Sequence, residues 1–271
     1  METMKQIDER IRRRFSVLEK VAEGVANGHI RSAIVSGATG CGKSYTLESV
    51  LKTAESDGRI NYTSVRGTIS AIALYVELWN NRNASDVLVL DDTDTIYGDL
   101  DALNLLKAAL DTNPVRRVHY NKESRILADL GIDRSFDFEG RVVFITNTDL
   151  TRAVERETKM SPHYAALLGR SIYCDLGIHS KREVLVRIGQ VVYSEKFLAA
   201  NNISRKQAES MMAWLFANVK RVRVLSIRTV LQLANLVKID PNWQEMAEDK
   251  FWAKNGFDWS NVVDSFNKRG V

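Results

Sequence analysis

A glycine-rich run over residues 37–44, GATGCGKS, fits the phosphate-binding pattern GxxxxGK[ST]. In that pattern, backbone N–H groups curl around phosphate oxygens, and the N-terminus of the following helix adds a partial positive charge. Lys43 can reach the β- and γ-phosphates of a nucleotide, and Ser44 can offer its hydroxyl to Mg²⁺. The residues that we expect at the nucleotide are Gly37, Ala38, Thr39, Gly40, Cys41, Gly42, Lys43, Ser44 and Tyr45.

The flanking residues predict the elements that present this run. Ser32–Ser36 is short, apolar and β-branched, which is typical of a buried strand, and residues 44–51 predict a helix. A strand, a glycine-rich loop and a helix in this order favour a phosphate site over a chance match in a glycine turn.

A second candidate group follows the apolar run Val87–Leu90. Four apolar residues in succession predict a strand buried on both faces, as in a parallel sheet. Asp91 and Asp92 come directly after it, at the carboxyl end where open α/β sheets bind ligands. Asp91 is placed to help hold Mg²⁺, and Asp92 to orient or deprotonate an attacking water. The alternative is a strand ending in a solvated acidic turn; the phosphate loop upstream favours the metal site.

The bulk composition is that of an ordinary globular protein. The 271 residues are 45% hydrophobic and 27% charged, enough for a full core and a smaller second domain. The net charge of +4 and the pI near 9.0 permit a nucleic-acid partner without requiring one. Cys41 and Cys174 lie in the loop and in a predicted strand, so we expect no disulfide and a reducing cytoplasm. No apolar run is long enough to cross a membrane.

Strand and helix patterns alternate through the first two thirds of the chain, which predicts a parallel α/β sheet. The strand candidates are residues 32–36, 60–65, 87–92, 141–147 and 171–176. Residues 115–122 and 135–140 predict a hairpin that stands off the main sheet. Residues 149–160 predict a charged helix, which Pro162 interrupts.

Beyond Ser180 only helical patterns remain, with Ser180, Ser204 and Ser226 each placed to cap a helix. A last helix is expected from Asp240-Pro241 onward. The expected organisation is an N-terminal helical segment over 1–30, a nucleotide-binding domain over 31–178, a helical domain over 179–254 and a tail over 255–271 that docks through its apolar residues.

Taken together, the phosphate loop, the Asp-Asp strand end, a strand ending in Asn147, an arginine before the fifth strand and the helical C-terminal region resemble an AAA+ ATPase. The resemblance covers about residues 30–240, and ALNLLKAALDT and FDFEGRVVFITN look like small bacteriophage members of that family. It implies an α/β fold in which a five-stranded parallel P-loop (αβα) ATPase core precedes a C-terminal helical lid. GATGCGKS matches Walker A and VLVLDD matches Walker B, which implies ATP and Mg²⁺ as ligands, with Ser44 and Asp91 at the metal. The family usually has glutamate where this chain has Asp92, which is one methylene shorter, so slow hydrolysis is expected.

The same resemblance implies roles for three further residues. VVFITN matches the sensor-1 strand, so Asn147 would hydrogen-bond the water or the γ-phosphate. ALLGRS resembles the arginine-finger segment, so Arg170 would project into the site of a neighbouring subunit in a homo-oligomeric ring. LSIRT resembles sensor 2, so Arg228 would reach the γ-phosphate from the lid. The alternative for both arginines is an ordinary surface position. A phage origin would place the protein in the host cytoplasm.

The sequence leaves the substrate of such a motor open. A DNA-linked ATPase is favoured by basic and aromatic residues over 115–125, which suit phosphate contact and base stacking, although a solvated hairpin explains them equally well. A protein remodeller or unfoldase usually has an aromatic–apolar–glycine motif after the second strand, and residues 65–70 contain no aromatic. A nucleotide-gated assembly scaffold with slow turnover is a third interpretation, based on Asp92.

Overall fold

The computed structural model describes residues 2–178 and 180–252. The chain divides into two compact units, Met1–His179 and Ser180–Val271, and each is described by itself below. The tail over 255–271, with its expected docking through Trp259, Val262, Val263 and Phe266, lies outside the described residues.

The first unit is built on a five-stranded parallel sheet, which confirms the predicted fold class. The strands of this unit are β1 (Ser32–Ser36), β2 (Asn61–Arg66), β3 (Asp86–Asp91), β4 (Arg117–His119), β5 (Ser135–Asp137), β6 (Arg141–Thr146) and β7 (Ile172–Asp175). The main sheet has the order β2-β3-β6-β1-β7, while β4 and β5 pair antiparallel as the predicted hairpin. Every residue of β1, β3 and β6 is buried, as expected for central strands of a parallel sheet.

Helices connect these strands. They are α1 (Met4–Ala26), α2 (Lys43–Ser56), α3 (Ala71–Asn80), α4 (Leu100–Ala109), α5 (Arg125–Asp129), α6 (Leu150–Glu155) and α7 (Ser161–Leu168), with a 3-10 turn at Asp94–Gly98. In α1, apolar residues at three- and four-residue steps are buried, and a capping box between Thr3 and Gln6 closes its N-terminus. The prediction of one helix over 149–160 is wrong in its length, because α6 ends at Glu155. Pro162 lies in the first turn of α7, where its missing N–H costs nothing.

The second unit is helical. Its helices are α8 (Lys181–Val192), α9 (Glu195–Asn201), α10 (Arg205–Asn218), α11 (Ile227–Ile239) and α12 (Trp243–Phe251). Ser180, Ser204 and Ser226 cap α8, α10 and α11, as their positions in the sequence predict. The sequence did not predict α9, which Ser194 caps. Among the described residues, no helix is both long enough and apolar enough to cross a membrane.

Candidate nucleotide-binding site

Three strands of the first unit end side by side. Their parallel register aligns the last residues of β1, β3 and β6. The glycine-rich loop follows β1, Asp92 follows β3 and Asn147 follows β6. Groups that are far apart in the sequence therefore meet at the carboxyl edge of the sheet, where open α/β sheets bind ligands.

The loop between β1 and α2 turns on glycines. Gly40 and Gly42 have φ values of +70° and +98°, a region that residues with a side chain rarely adopt. Gly42 is the N-cap of α2, and no side chain caps this helix. The first N–H groups of α2 are therefore without a side-chain acceptor and can receive an anion.

Lys43 lies inside the loop rather than in solvent. Its Nζ donates to the backbone oxygens of Gly37 at 2.8 Å and Ala38 at 3.1 Å, and to Oδ1 of Asn147 at 2.8 Å. The residue is 6% exposed, and burial lowers the pKa of Lys43. Its described hydrogen-bond partners are neutral oxygens, and the charges of Asp92, Asp91 and Asp94 only partly offset the effect of burial, so a phosphate would add counter-charge at the ammonium.

Ser44 and Asp91, the two residues expected at the metal, contact each other. Ser44 Oγ donates to Oδ1 of Asp91 at 3.0 Å. Burial raises the pKa of Asp91, and the hydrogen bond from Ser44 opposes that shift. Mg²⁺ prefers hard oxygen ligands and is commonly bound by one or two carboxylates together with substrate phosphates. One hydroxyl and one carboxylate fit a metal whose other ligands are substrate phosphates and water. The described residues contain no group of three or more His, Cys, Asp or Glu that could hold a metal ion.

Arg66 also contacts Asp91, which the sequence did not predict. Its Nε lies 3.1 Å from Oδ2 of Asp91, and it forms a second ion pair with Glu48 of α2. Arg66 is the last residue of β2 and is aligned with Asp91 in the sheet register. Comparing the strand ends would have found it, because neighbouring parallel strands bring their last residues together.

Asn147 joins Lys43 to Asp92. Its Nδ2 donates to Oδ1 of Asp92 at 2.8 Å, while its Oδ1 accepts from Lys43. Asp92 has a φ of +53°, and its N–H donates to the backbone oxygen of Ile145 at 3.0 Å. Non-glycine residues held in this region are strained, and such strain clusters at functional sites.

Asp94 supports this arrangement from the turn after β3. Its carboxylate accepts from the hydroxyl of Thr146 at 2.7 Å and from that of Thr148 at 3.1 Å. These bonds fix the chain on both sides of Asn147. Asp94 is therefore a positioning residue, whose partners could not be read from the sequence.

Three further predicted site residues lie on α2, after α7 and on α11. The side chain of Tyr45 is 60% exposed on the first turn of α2. Arg170 follows α7, where its Nη1 donates to the backbone oxygen of Ala166 at 3.0 Å and its Nη2 lies 3.9 Å from Asp111. Arg228 is the second residue of α11, in the second unit, and is exposed.

The basic hairpin is less available than its sequence indicates. Arg116 is buried, with 6% of its surface exposed. Arg117 forms an ion pair with Asp137 at 2.9 Å, and Lys122 pairs with Asp101. Arg125 is exposed. Burial of Arg116 removes one of the cations expected to face DNA.

Comparisons with known proteins place the chain in a family and in a fold. An uncharacterized 36.7 kDa protein in the nrdC-mobD intergenic region of Enterobacteria phage T4 is 43% identical over 247 residues, which are 91% of this chain and 76% of the phage protein. No family model matches the chain.

The solved structures that resemble the protein are distant in sequence. A replication initiator DnaA bound to AMPPCP and single-stranded DNA has a TM-score of 0.52 at 15% identity, over 87% of this chain and 63% of that one. Domain III of Thermotoga maritima DnaA has 0.52 at 11% identity, over 88% and 92%. The Thermotoga maritima RuvB Holliday junction branch migration motor has 0.50 at 13% identity, over 89% and 68%. Together with the strand order, these matches show the fold of a P-loop AAA+ ATPase domain. The chain belongs to the same family as the 36.7 kDa protein of phage T4.

Proposed function

We propose that this protein binds ATP with Mg²⁺ at the carboxyl edge of its sheet and hydrolyses it. The observation that carries the proposal is a pair of hydrogen-bonded groups on neighbouring residues: Asn147 bridges Lys43 and Asp92, and Ser44 bonds to Asp91. They lie directly beside a glycine-rich loop and an uncapped helix N-terminus. These are the parts that phosphoryl transfer requires, because its catalysis depends on positioning and on charge stabilisation.

Each side chain has a role that follows from its chemistry. Lys43 and the N–H groups of the loop bind the phosphates, and Ser44 and Asp91 hold Mg²⁺, which neutralises charge on the phosphate oxygens. Asp92 orients the attacking water or accepts its proton, and Asn147 holds Asp92 and hydrogen-bonds the same water or the γ-phosphate. Because Asp92 has a short side chain, we expect slow turnover.

The first test is ATP binding and steady-state hydrolysis by Lys43→Ala. The variant should lose at least about 100-fold in turnover, since the cation that binds the phosphates is gone. Lys20→Ala, which changes an exposed lysine of α1, is the matched control and should bind and hydrolyse ATP as the wild type does. Wild-type turnover by Lys43→Ala would refute the assignment.

We further propose that the complete site forms between subunits of a homo-oligomeric ring, with Arg170 acting on a neighbour's nucleotide and Arg228 acting from the helical lid. Within its own chain, Arg170 is held by one backbone oxygen and by a long contact to Asp111. An arginine in this role stabilises the charge that develops in the transition state. Arg170→Ala should retain ATP binding and lose about 100-fold or more in assembly-dependent turnover. Normal hydrolysis by Arg170→Ala at all protein concentrations would exclude this role for Arg170.

DNA, or a DNA–protein complex, is the substrate that we propose for this motor. One structural relative is a replication initiator bound to single-stranded DNA, and another is a Holliday junction branch migration motor. The pI near 9.0 and the exposed Arg125 and His119 of the hairpin region support the same class. ATP turnover should rise with DNA and lose that response as salt increases. Turnover indifferent to DNA would instead favour protein remodelling, and oligomers without turnover would favour a nucleotide-gated scaffold.

A further inference from the structure

We propose that the opposite, amino edge of the sheet in the first unit holds a second anion site, which takes a phosphate group. A cavity of about 360 Å³ lies there, at the base of the hairpin. Three arginines line it, Arg31, Arg116 and Arg141, together with Gly28, Pro114 and the ring of Phe138.

Arg116 is a buried cation, and some of its N–H donors have no described hydrogen-bond partner. It is 6% exposed, and its described hydrogen bonds come from Nη1 alone, to the backbone oxygens of Ala109 and Gly140, each at 3.0 Å. Its Cζ lies 5.1 Å from the centre of the Phe138 ring. Burial lowers the pKa of Arg116 to about 10, so the guanidinium stays charged at neutral pH.

Arg141 adds a second buried charge. It is 5% exposed, and it donates to the backbone oxygens of Val25, Ala26 and Ala84. The described residues include no carboxylate in an ion pair with Arg116 or Arg141. Two buried guanidinium groups therefore face one cavity with backbone oxygens as their partners.

The acidic groups at this cavity do not cancel its charge. Asp137 is occupied by its ion pair with Arg117 at 2.9 Å. Glu139 is exposed, and it acts on Arg116 through charge rather than through a hydrogen bond. The charge of Asp86 on β3 raises the pKa of Arg141, and its carboxylate also accepts hydrogen bonds from two asparagines, so Asp86 and Glu139 offset only part of the charge of three arginines. A bound anion would offset the cost of burying the arginines.

The chemistry of the arginines selects the ligand. Guanidinium groups present forks of N–H donors that match the oxygens of a phosphate, and such charge-assisted bonds are strong. The backbone oxygens of Ala109, at the end of α4, and of Gly140, before β6, fix the direction of Nη1 of Arg116, but they leave its other N–H groups without a described partner. A phosphate in the cavity would use them.

This site is separate from the nucleotide site. Arg141 begins β6 and Asn147 follows its end, so at about 3.3 Å per residue the two are about 20 Å apart. No residue that lines the cavity belongs to the phosphate loop or to its carboxylates. The inference therefore does not depend on ATP hydrolysis.

The test is calorimetric titration of inorganic pyrophosphate into the full chain carrying Lys43→Ala, which weakens binding at the phosphate loop. This protein should still bind pyrophosphate. Adding Arg31→Gln should weaken binding about 10-fold, because a charged hydrogen bond is lost. Arg31 is exposed, so the variant should fold, and an unchanged melting temperature will check this. Arg125→Gln, on an exposed arginine that does not line the cavity, is the matched control and should bind as before.

Two further arms sharpen the result. Glu139→Gln should tighten pyrophosphate binding about 3-fold, since an opposing charge is removed. Competition by a single-stranded thymidine oligonucleotide would assign the phosphate to a nucleic-acid backbone, and its absence would assign it to a free phosphate compound. Loss of all pyrophosphate binding in Lys43→Ala, or equal affinity with and without Arg31→Gln, would overturn the proposal.

Discussion

The two edges of the parallel sheet hold their charged residues in different ways. At the carboxyl edge, side chains bond to side chains, Ser44 to Asp91 and Asn147 to both Asp92 and Lys43, although Lys43 also donates to two main-chain oxygens of its own loop. At the amino edge, Arg116 and Arg141 bond to main-chain oxygens. The first arrangement joins groups at the ends of strands and loops, whereas the second ties whole elements together.

This difference predicts that the carboxyl edge serves chemistry and that the buried arginines of the amino edge serve stability. Side-chain contacts at the carboxyl edge can exchange for contacts to a ligand while the backbone stays in place. The oxygens that Arg141 binds are those of Val25 and Ala26 at the end of α1 and of Ala84 before β3. Removing that arginine would take a hydrogen bond from each of these oxygens and leave the oxygen of Ala26 without its described donor, which is costly. Substitutions at the carboxyl edge should therefore change turnover, and those of the buried arginines Arg116 and Arg141 should change stability.

The largest expected effect is that of Asp92→Asn. It removes the carboxylate that orients the water, so turnover should fall about 1,000-fold while ATP binding and the melting temperature stay near wild type. Hydrolysis and equilibrium binding of ATP would be measured on the same preparation. Asp92→Glu keeps the charge and should retain activity, which makes it the matched control. An Asp92→Asn protein that hydrolyses ATP normally would move the catalytic base elsewhere.

At the amino edge, Arg141→Met should lower the free energy of unfolding by about 3 kcal/mol, because backbone oxygens at the end of α1 and before β3 each lose a hydrogen bond from the buried guanidinium. Urea denaturation would measure it. Arg125→Met, which changes an exposed arginine, should cost little. ATP turnover per folded molecule should be unchanged in both. If Arg141→Met were as stable as the wild type, or if it lost turnover without being destabilised, the contrast between the two edges would be wrong.

Local pattern predicted most of what the carboxyl edge is made of. The apolar run before Asp91 and the glycines before Lys43 identify a buried strand and a loop without any knowledge of their neighbours. Serine caps likewise located α8, α10 and α11. Such signals are contained within a few residues, so one sequence is enough to read them.

What the sequence could not predict depends on register and direction. Arg66 meets Asp91 only because β2 and β3 pair with their ends aligned. Arg116 was expected on the surface with Arg117, but it precedes β4 and turns into the cavity beneath the hairpin. The sequence predicts that Pro162 interrupts a helix, but proline also suits the first turn of a helix, and it lies in the first turn of α7. In each case the deciding partner is distant in sequence.

The smallest predicted effect concerns Arg66, which among the described residues is the one cation in an ion pair with Asp91, the carboxylate proposed to hold Mg²⁺. Its guanidinium lies 3.1 Å from Asp91, so it would compete with Mg²⁺ for the same oxygens. Arg66 is largely exposed and its charge is screened, which limits the competition. Arg66→Gln should therefore lower the Mg²⁺ concentration for half-maximal turnover about 3-fold. Arg59→Gln, which removes an arginine paired with Glu23 and Asp57, is the control for charge alone. If the two variants require the same Mg²⁺ as the wild type, Arg66 only braces Glu48 and β2; if Arg66→Gln requires more, it helps to place Asp91 rather than compete for it.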